Sequence, residues 1–298
     1  MLGWRIGISV VLVPSLLALF WWDSQMGDSA VVLLVLSLLL AVRGSYEMCY
    51  LLKTRAMKPV FEVCAACSVL VILLTWARVR LVDGVPEGAH LLVSLGCVAA
   101  GVFASFVILL LVEAVRYRQP GNSLESLGAG LLTVAYAAGL LAVLIQFRWY
   151  PKSAIGYFAV GSVIIAVKSG DIMAYTFGRL WGRRKMVPTL SPGKTWMGGI
   201  GAIVGACLGS WLWITFGGGL FDAAPQSAGL IPVLAYGAVM GVVGLVGDLC
   251  ESLIKRDAEK KDSAQLMPGF GGLLDLLDSP LFAAPIALAW WYFWPPAV

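Results

Sequence analysis

Long apolar stretches, separated by short polar breaks, dominate the pattern of this chain. Most are close to the roughly 20 apolar residues that an α-helix needs to cross the hydrocarbon core of a bilayer. The pattern therefore predicts an all-α, polytopic integral membrane protein with about nine transmembrane helices. The expected spans, whose ends the pattern defines to within a few residues, are 4–22, 29–46, 60–78, 91–115, 127–147, 153–168, 197–217, 230–250 and 280–296.

The composition supports the same class of protein. Hydrophobic residues make up 60% of the 298 residues and charged residues 13%, whereas a soluble domain has roughly 25% charged residues. This excludes a disordered chain and argues against a soluble globular enzyme. Six cysteines are too few for a disulfide framework in a chain of this length, so we interpret them as packing residues. The first stretch lacks a small-x-small cleavage site, which favours a span over a signal peptide.

Lysine and arginine are distributed unevenly between the two sets of breaks. With the N-terminus inside, the inner breaks would carry 17 of the 21 cations and the outer breaks 4. Cytoplasmic loops of membrane proteins are enriched in lysine and arginine. We therefore expect an inside N-terminus and an outside C-terminus, with the breaks at 168–196 and 251–279 facing the cytoplasm.

The two halves of the chain differ in character. Residues 1–150 are spans with short links, and we interpret them as membrane-spanning helices. Residues 151–298 have longer links and nearly all of the unusual polar residues, which indicates a membrane-embedded catalytic region. No internal repeat supports an inverted-repeat transporter. Glycines four residues apart predict close helix packing rather than a nucleotide-binding loop; they are Gly201, Gly205 and Gly209, and Gly237 and Gly241.

Acidic residues occur in pairs near the inner ends of two late spans. Asp248 ends an apolar stretch and Glu251 follows three residues later; Asp275 and Asp278 have the same spacing, which places both on one helix face. A charge near the bilayer core costs at least about 2.5 kcal/mol on insertion scales, so each normally has a partner. The pairs could converge on a hard divalent cation such as magnesium. They could equally cap helices or pair with nearby cations.

Basic residues surround these acids in the sequence. Gly271 and Gly272 also allow backbone amides to approach an anion closely. Carboxylates, lysines and a glycine turn are the components of magnesium-assisted phosphoryl or nucleotidyl transfer. Attraction of a basic loop to anionic lipids would explain the run at 183–185 but not the interleaved acids. The basic residues concerned are Lys185, Lys194, Lys255, Arg256 and Lys261.

The second polar segment resembles the signature of the phosphatidate cytidylyltransferase, or CDP-diglyceride synthase, family. That pattern runs S-x-x-K-R-x4-K-D, then P-G-H-G-G, a hydrophobic residue, D-R and a final D. The matching residues are Ser252, Lys255, Arg256, Lys261, Asp262, Pro268, Gly269, Gly271, Gly272, Asp275 and Asp278. The first segment resembles the upstream block of the family, with Asp171, Ala174, Tyr175, Gly178, Gly182, Lys185, Pro188, Ser191, Pro192, Lys194, Thr195 and Gly198 in place.

Three positions depart from the family pattern. Phe270 replaces a histidine, Leu276 an arginine, and Met197 a residue that is usually glutamate. Phenylalanine cannot donate a hydrogen bond to a phosphate and leucine cannot form a bidentate clamp. The acidic positions are intact, so we expect a divergent but active enzyme.

The resemblance implies an enzyme that joins CTP and phosphatidate to give CDP-diacylglycerol and pyrophosphate. It implies a bacterial inner membrane, an active site facing the cytoplasm, and Mg²⁺ as the cofactor. The implied metal ligands are Asp248, Asp275 and Asp278. The implied catalytic residues are Asp248, Asp275, Lys255 and Arg256. The implied substrate-binding residues are Asp171, Tyr175, Lys185, Ser191, Lys194, Thr195, Ser252, Lys261, Asp262, Gly271 and Gly272.

Three alternatives stay open. The first is a related CTP-dependent transferase that acts on another lipid phosphate, and the second is a non-catalytic member of the family. The third is an anion transporter, which would need polar residues near mid-span in both halves, whereas the N-terminal spans have few. The expected partners are CTP, phosphatidate and the lipid bilayer, without nucleic acid; a homodimer is left open.

Overall fold

In this computed structural model, the described residues are 15–53, 57–149, 153–221, 228–264, 266 and 271–297, without 17, 82 and 84. Within them the chain is almost entirely helical. The helices are α1 (Val31–Leu52), α2 (Phe61–Leu81), α3 (His90–Arg116), α4 (Ser123–Val134), α5 (Leu140–Gln146), α6 (Ser153–Trp181), α7 (Trp196–Phe216), α8 (Leu230–Asp257) and α9 (Leu274–Phe293). Short 3-10 turns lie at Gly27–Ser29, Glu87–Ala89 and Gly217–Phe221.

Eight helical stretches of the described residues are long and apolar enough to cross a membrane. One of them joins α4 to α5 through a π-helical turn at Ala135–Gly139. The predicted all-α, polytopic fold is therefore confirmed. The first predicted span, 4–22, lies mostly outside the described residues, so a ninth span stays a prediction.

The first compact unit consists of Met1–Gln146 and Asp257–Leu276. Buried hydroxyls connect its first two helices, because Ser45 and Ser68 hydrogen-bond at 2.8 Å. Helices α2 and α3 approach closely at Gly101, where a Cβ would lie 2.9 Å from the Val71 Cα. The absence of a side chain at Gly101 allows the two helix backbones to approach closely.

The second compact unit consists of Phe147–Arg256 and Leu277–Val298. Its close packing depends on the glycines predicted from their spacing. A Cβ at Gly205 of α7 would lie 2.6 Å from the Met173 Cβ of α6, and one at Gly241 of α8 would lie 2.8 Å from the Ile203 Cα of α7. The interpretation of these glycines as helix-packing positions is confirmed.

A β-hairpin interrupts the second unit between α6 and α7. Strands β1 (Lys185–Val187) and β2 (Ser191–Thr195) pair antiparallel, and they are the strands found among the described residues. Thr195 ends the hairpin and begins α7, where its hydroxyl accepts a hydrogen bond from the Gly198 amide at 3.1 Å. The hairpin thus fixes the polar link between two spans by backbone pairing and a helix cap.

Candidate active site

Three carboxylates converge in the second unit. Asp248 and Glu251 lie one turn apart on α8, and Asp278 lies on α9; one oxygen from each falls within 4.8 Å of the others. Glu251 and Asp278 are buried, with 1% and 6% of their surface exposed. An all-oxygen donor set of this kind suits a hard cation such as magnesium or calcium. These residues could therefore hold a divalent metal.

Lysines accompany each of these acids. Lys194 lies 2.9 Å from Asp248, and Lys255 pairs with Glu251. On α6, Lys168 contacts Asp171 at 3.1 Å and Asp278 at 3.7 Å. An unpaired buried charge is strongly destabilising, and these lysines supply partners for the buried acids. Roles in phosphate binding for these lysines stay predictions.

Ser252 and Arg256 extend the cluster along α8. The Ser252 hydroxyl donates to Asp248 Oδ1 at 3.4 Å. Arg256 is exposed, and its Nε donates to the Leu190 carbonyl at 3.4 Å, next to β2. The α8 residues of the predicted site are thus brought together with the acidic cluster.

The remaining residues of the first polar segment differ in their surroundings. Tyr175 is exposed and its hydroxyl accepts from Arg179 at 3.0 Å, one turn further along α6. Lys185 is exposed on β1, and Ser191 is half-buried on β2. Thr195 is buried as the cap of α7, so its hydroxyl oxygen is engaged in the fold. Roles in substrate binding for these residues stay predictions.

The end of the signature block lies in the first unit. Lys261 and Asp262 are exposed there. The Asp275 Oδ2 atom accepts hydrogen bonds from the Ser263 amide at 2.8 Å, the Ser263 hydroxyl at 2.7 Å and the Gly272 amide at 2.7 Å. This oxygen holds the local backbone, and a metal-binding role for Asp275 stays a prediction. Positions 268–270, with Phe270, lie outside the described residues.

The comparisons with known proteins decide the family. The sequence model of the cytidylyltransferase family matches residues 4–294, which is nearly the whole chain. The chain belongs to the cytidylyltransferase family.

Relatives of this cytidylyltransferase occur in several bacteria. It is 32% identical to a phosphatidate cytidylyltransferase of Chlamydia trachomatis over 266 residues, 88% of this chain and 84% of the relative. It is 31% identical to a phosphatidate cytidylyltransferase of Haemophilus influenzae over 190 residues, 64% of this chain and 65% of the relative. A third protein of that name, from Mycobacterium bovis, is 35% identical over 172 residues, 58% of this chain and 52% of the relative.

In this cytidylyltransferase, the pattern of acidic pairs predicts Glu251 as a candidate cation ligand beside Asp248, but the ligand set implied by the family resemblance omits it, and Lys168 has no predicted role. Glu251 replaces Asp275 in the group of carboxylates that the structure brings together. Lys168 bridges Asp171 and Asp278 from α6. Both residues are ionisable groups at the ends of apolar spans, and such groups are functional candidates by default. That signal could have identified Lys168 as well.

Proposed function

We propose that this nucleotidyltransferase joins CTP and phosphatidate to form CDP-diacylglycerol and pyrophosphate. The observation that carries the proposal is the cluster of three carboxylates and their lysines, built on membrane-spanning helices of a cytidylyltransferase. The match over 84% of the Chlamydia trachomatis phosphatidate cytidylyltransferase supports phosphatidate as the lipid substrate.

In the proposed reaction, a phosphate oxygen of phosphatidate attacks the α-phosphorus of CTP. A new P–O bond forms, the bond from the α-phosphorus to the bridging oxygen breaks, and pyrophosphate leaves with the electron pair. Both substrates are anions, so the main barrier that the protein must lower is their mutual repulsion. The lipid phosphate is already ionised and needs no general base.

Asp248, Glu251 and Asp278 would hold a divalent metal, magnesium in our proposal. Such an ion, when bound, neutralises charge on the triphosphate and its leaving group. The chain's own cations do the rest: Lys194 and Lys255 exchange their carboxylate partners for phosphate oxygens when substrate binds. Lys168, which contacts both Asp171 and Asp278, offsets part of their negative charge.

We place the site at the cytoplasmic face of a bacterial inner membrane. The excess of cations in the predicted inner breaks supports this orientation, and CTP is a cytosolic nucleotide. A homodimer stays a prediction, for which the test is the mass of the purified protein in detergent.

The test is a lipid-dependent assay with purified protein. We expect pyrophosphate release from CTP with phosphatidate and magnesium, and none when either is omitted or when EDTA is added. Replacing phosphatidate with an isoprenoid phosphate separates the related transferase from the proposed one. Product with that lipid alone, or no product with any lipid, would contradict the proposal.

A further inference from the structure

A fully buried acid in the N-terminal spans contacts the signature segment within the first unit. Glu47, near the end of α1, has none of its surface exposed. Its Oε1 accepts from the Leu273 amide and its Oε2 from the Leu274 amide, both at 3.0 Å. Leu274 is the first residue of α9 and Leu273 directly precedes it, and the unpaired N–H groups at the start of a helix favour a negative charge. Glu47 therefore caps a helix more than two hundred residues away in the sequence.

Arg43 supplies the charge partner of Glu47. It lies one turn earlier on α1, with its Nη2 atom 2.9 Å and its Nε atom 3.0 Å from Glu47 Oε1. A carboxylate with a guanidinium and two amides as donors is stable in a buried position. Arg43 and the two amides therefore satisfy the buried side chain of Glu47 from both sides.

Ser263 connects Glu47 to the last part of the signature. Its hydroxyl lies 3.0 Å from Glu47 Oε2 and 2.7 Å from Asp275 Oδ2. A hydroxyl has one proton and donates to one carboxylate at a time. The hydrogen bonds from backbone amides to Glu47 and to Asp275 therefore hold the two acids in place whichever of them the hydroxyl serves. Lys261 and Asp262, which directly precede Ser263, are exposed. The network therefore fixes the backbone at the point where the exposed residues Lys261 and Asp262 meet the buried Ser263.

The two glycines of the turn fit closely around this network. A Cβ at Gly272 would collide with the Ser263 hydroxyl and with Glu47 Oε2. Gly271 has φ of +90°, a conformation that side chains disfavour. Glycine is thus needed here because the backbone passes directly against the carboxylates.

We propose that Glu47 is a positioning residue of the transfer reaction, which fixes the turn at 271–274 and the Lys261–Ser263 strip for binding substrate phosphate. The inference rests on the proposed function and on the substrate-binding roles that the family resemblance implies for Lys261, Asp262, Gly271 and Gly272. It gives the N-terminal spans a part in the reaction beyond anchoring the enzyme in the membrane. A purely structural cap would affect stability but not substrate affinity, and this difference is measurable.

The test uses Glu47→Gln, which keeps the size of the side chain, removes its charge and turns an N–H group towards the donors. We expect the KM for CTP to rise about tenfold, as for other residues that orient a binding group, with a smaller change in kcat. Hydrogen exchange of peptides covering 261–276 should become faster. Glu47→Asp keeps the charge and should recover part of the lost affinity.

Ser45→Ala is the matched control, because Ser45 is buried on the same helix but bonds to Ala41 and Ser68 instead. We expect it to leave KM unchanged, whatever it does to thermal stability.

If Glu47→Gln does not purify, Ser263→Ala tests the same contact. If both variants purify, the double variant that combines Glu47→Gln with Ser263→Ala should raise KM by less than the product of the two single effects, because both substitutions act through one contact.

The outcomes separate this inference from the proposed function. If the wild-type protein makes CDP-diacylglycerol and Glu47→Gln keeps its KM, positioning by Glu47 is overturned. If the wild-type protein makes no product, the proposed function fails, and faster or unchanged exchange at 261–276 still decides whether Glu47 holds the segment. Equal increases of the KM for CTP in Ser45→Ala and Glu47→Gln would show that any disturbance of α1 raises KM, and this would overturn the inference.

Discussion

At the scale of single residues, the acidic cluster combines opposing requirements. Three carboxylates within 4.8 Å of one another repel, and burial makes the charges of Glu251 and Asp278 more costly. Lys168, Lys194 and Lys255 relieve this cost in the arrangement seen here. A divalent cation would relieve it more fully, since it concentrates two charges at one point. We infer that the closeness of the three carboxylates, which makes their charges costly, would also give the cluster affinity for a divalent metal.

Asp278→Asn tests the metal assignment directly. The amide keeps the shape of the side chain but removes one anionic ligand, so we expect kcat to fall about 10²–10³-fold, the loss typical of a key electrostatic group. Glu113→Gln is the control, because Glu113 is an acid of α3, outside the cluster, that pairs with Arg116 one turn along the same helix. Near-normal turnover in Asp278→Asn, or no weakening of the magnesium dependence, would reject the assignment.

Thr195 is the residue at which the sequence-based role and the structure give different expectations. As a helix cap, Thr195→Ala should cost about 1 kcal/mol of stability and Thr195→Ser much less. As a phosphate-binding group, Thr195→Ala would instead raise the KM for CTP at unchanged stability. We expect the first result, measured as thermal unfolding in detergent alongside the KM for CTP.

At the scale of elements, glycine spacing predicted the packing of α6, α7 and α8, because small residues four apart form a continuous strip on one helix face. The same pattern could not predict the hairpin at 185–195, whose strands of three and five residues are too short for a detectable alternation. The apolar pattern also ended the predicted span 153–168 before the helix that contains it, α6, ends. Polar residues after that position stopped the apolar pattern, but Lys168 pairs with Asp171 along the helix, and the helix continues to Trp181.

Gly205→Ala tests whether α6 and α7 depend on this close approach. The added methyl would meet the Met173 side chain at 2.6 Å, and overpacking typically costs about 1–3 kcal/mol. Gly219→Ala in the same unit is the control, because nothing lies within 4 Å of its added Cβ. We expect a lower melting temperature for Gly205→Ala alone; equal melting temperatures would show that the two helices separate without cost.

At the scale of the whole molecule, the signature residues are divided between the two compact units. Asp248, Lys255 and Asp278 belong to the second unit, whereas Lys261 and Asp275 belong to the first. The sequence identified these residues because they are close together along the chain and carry unusual charge for a membrane protein. It could not identify the contact of Glu47 with Ser263, which joins positions 216 residues apart, because no local pattern encodes which distant span will approach a loop.

The membrane orientation gives the last prediction. The 17 cations assigned to one side and 4 to the other place residue 183 inside and residue 83 outside, because lysine and arginine in short loops favour the cytoplasm. Both positions are exposed, so each can report its side after the six free cysteines of the chain are replaced.

In intact cells, an impermeant maleimide should label Asp83→Cys and spare Arg183→Cys, whereas lysed membranes should show both labelled. The lysed sample controls for burial of either thiol. Labelling of Arg183→Cys in intact cells would reverse the orientation, place the hairpin outside, and separate the acidic cluster of that unit from cytosolic CTP.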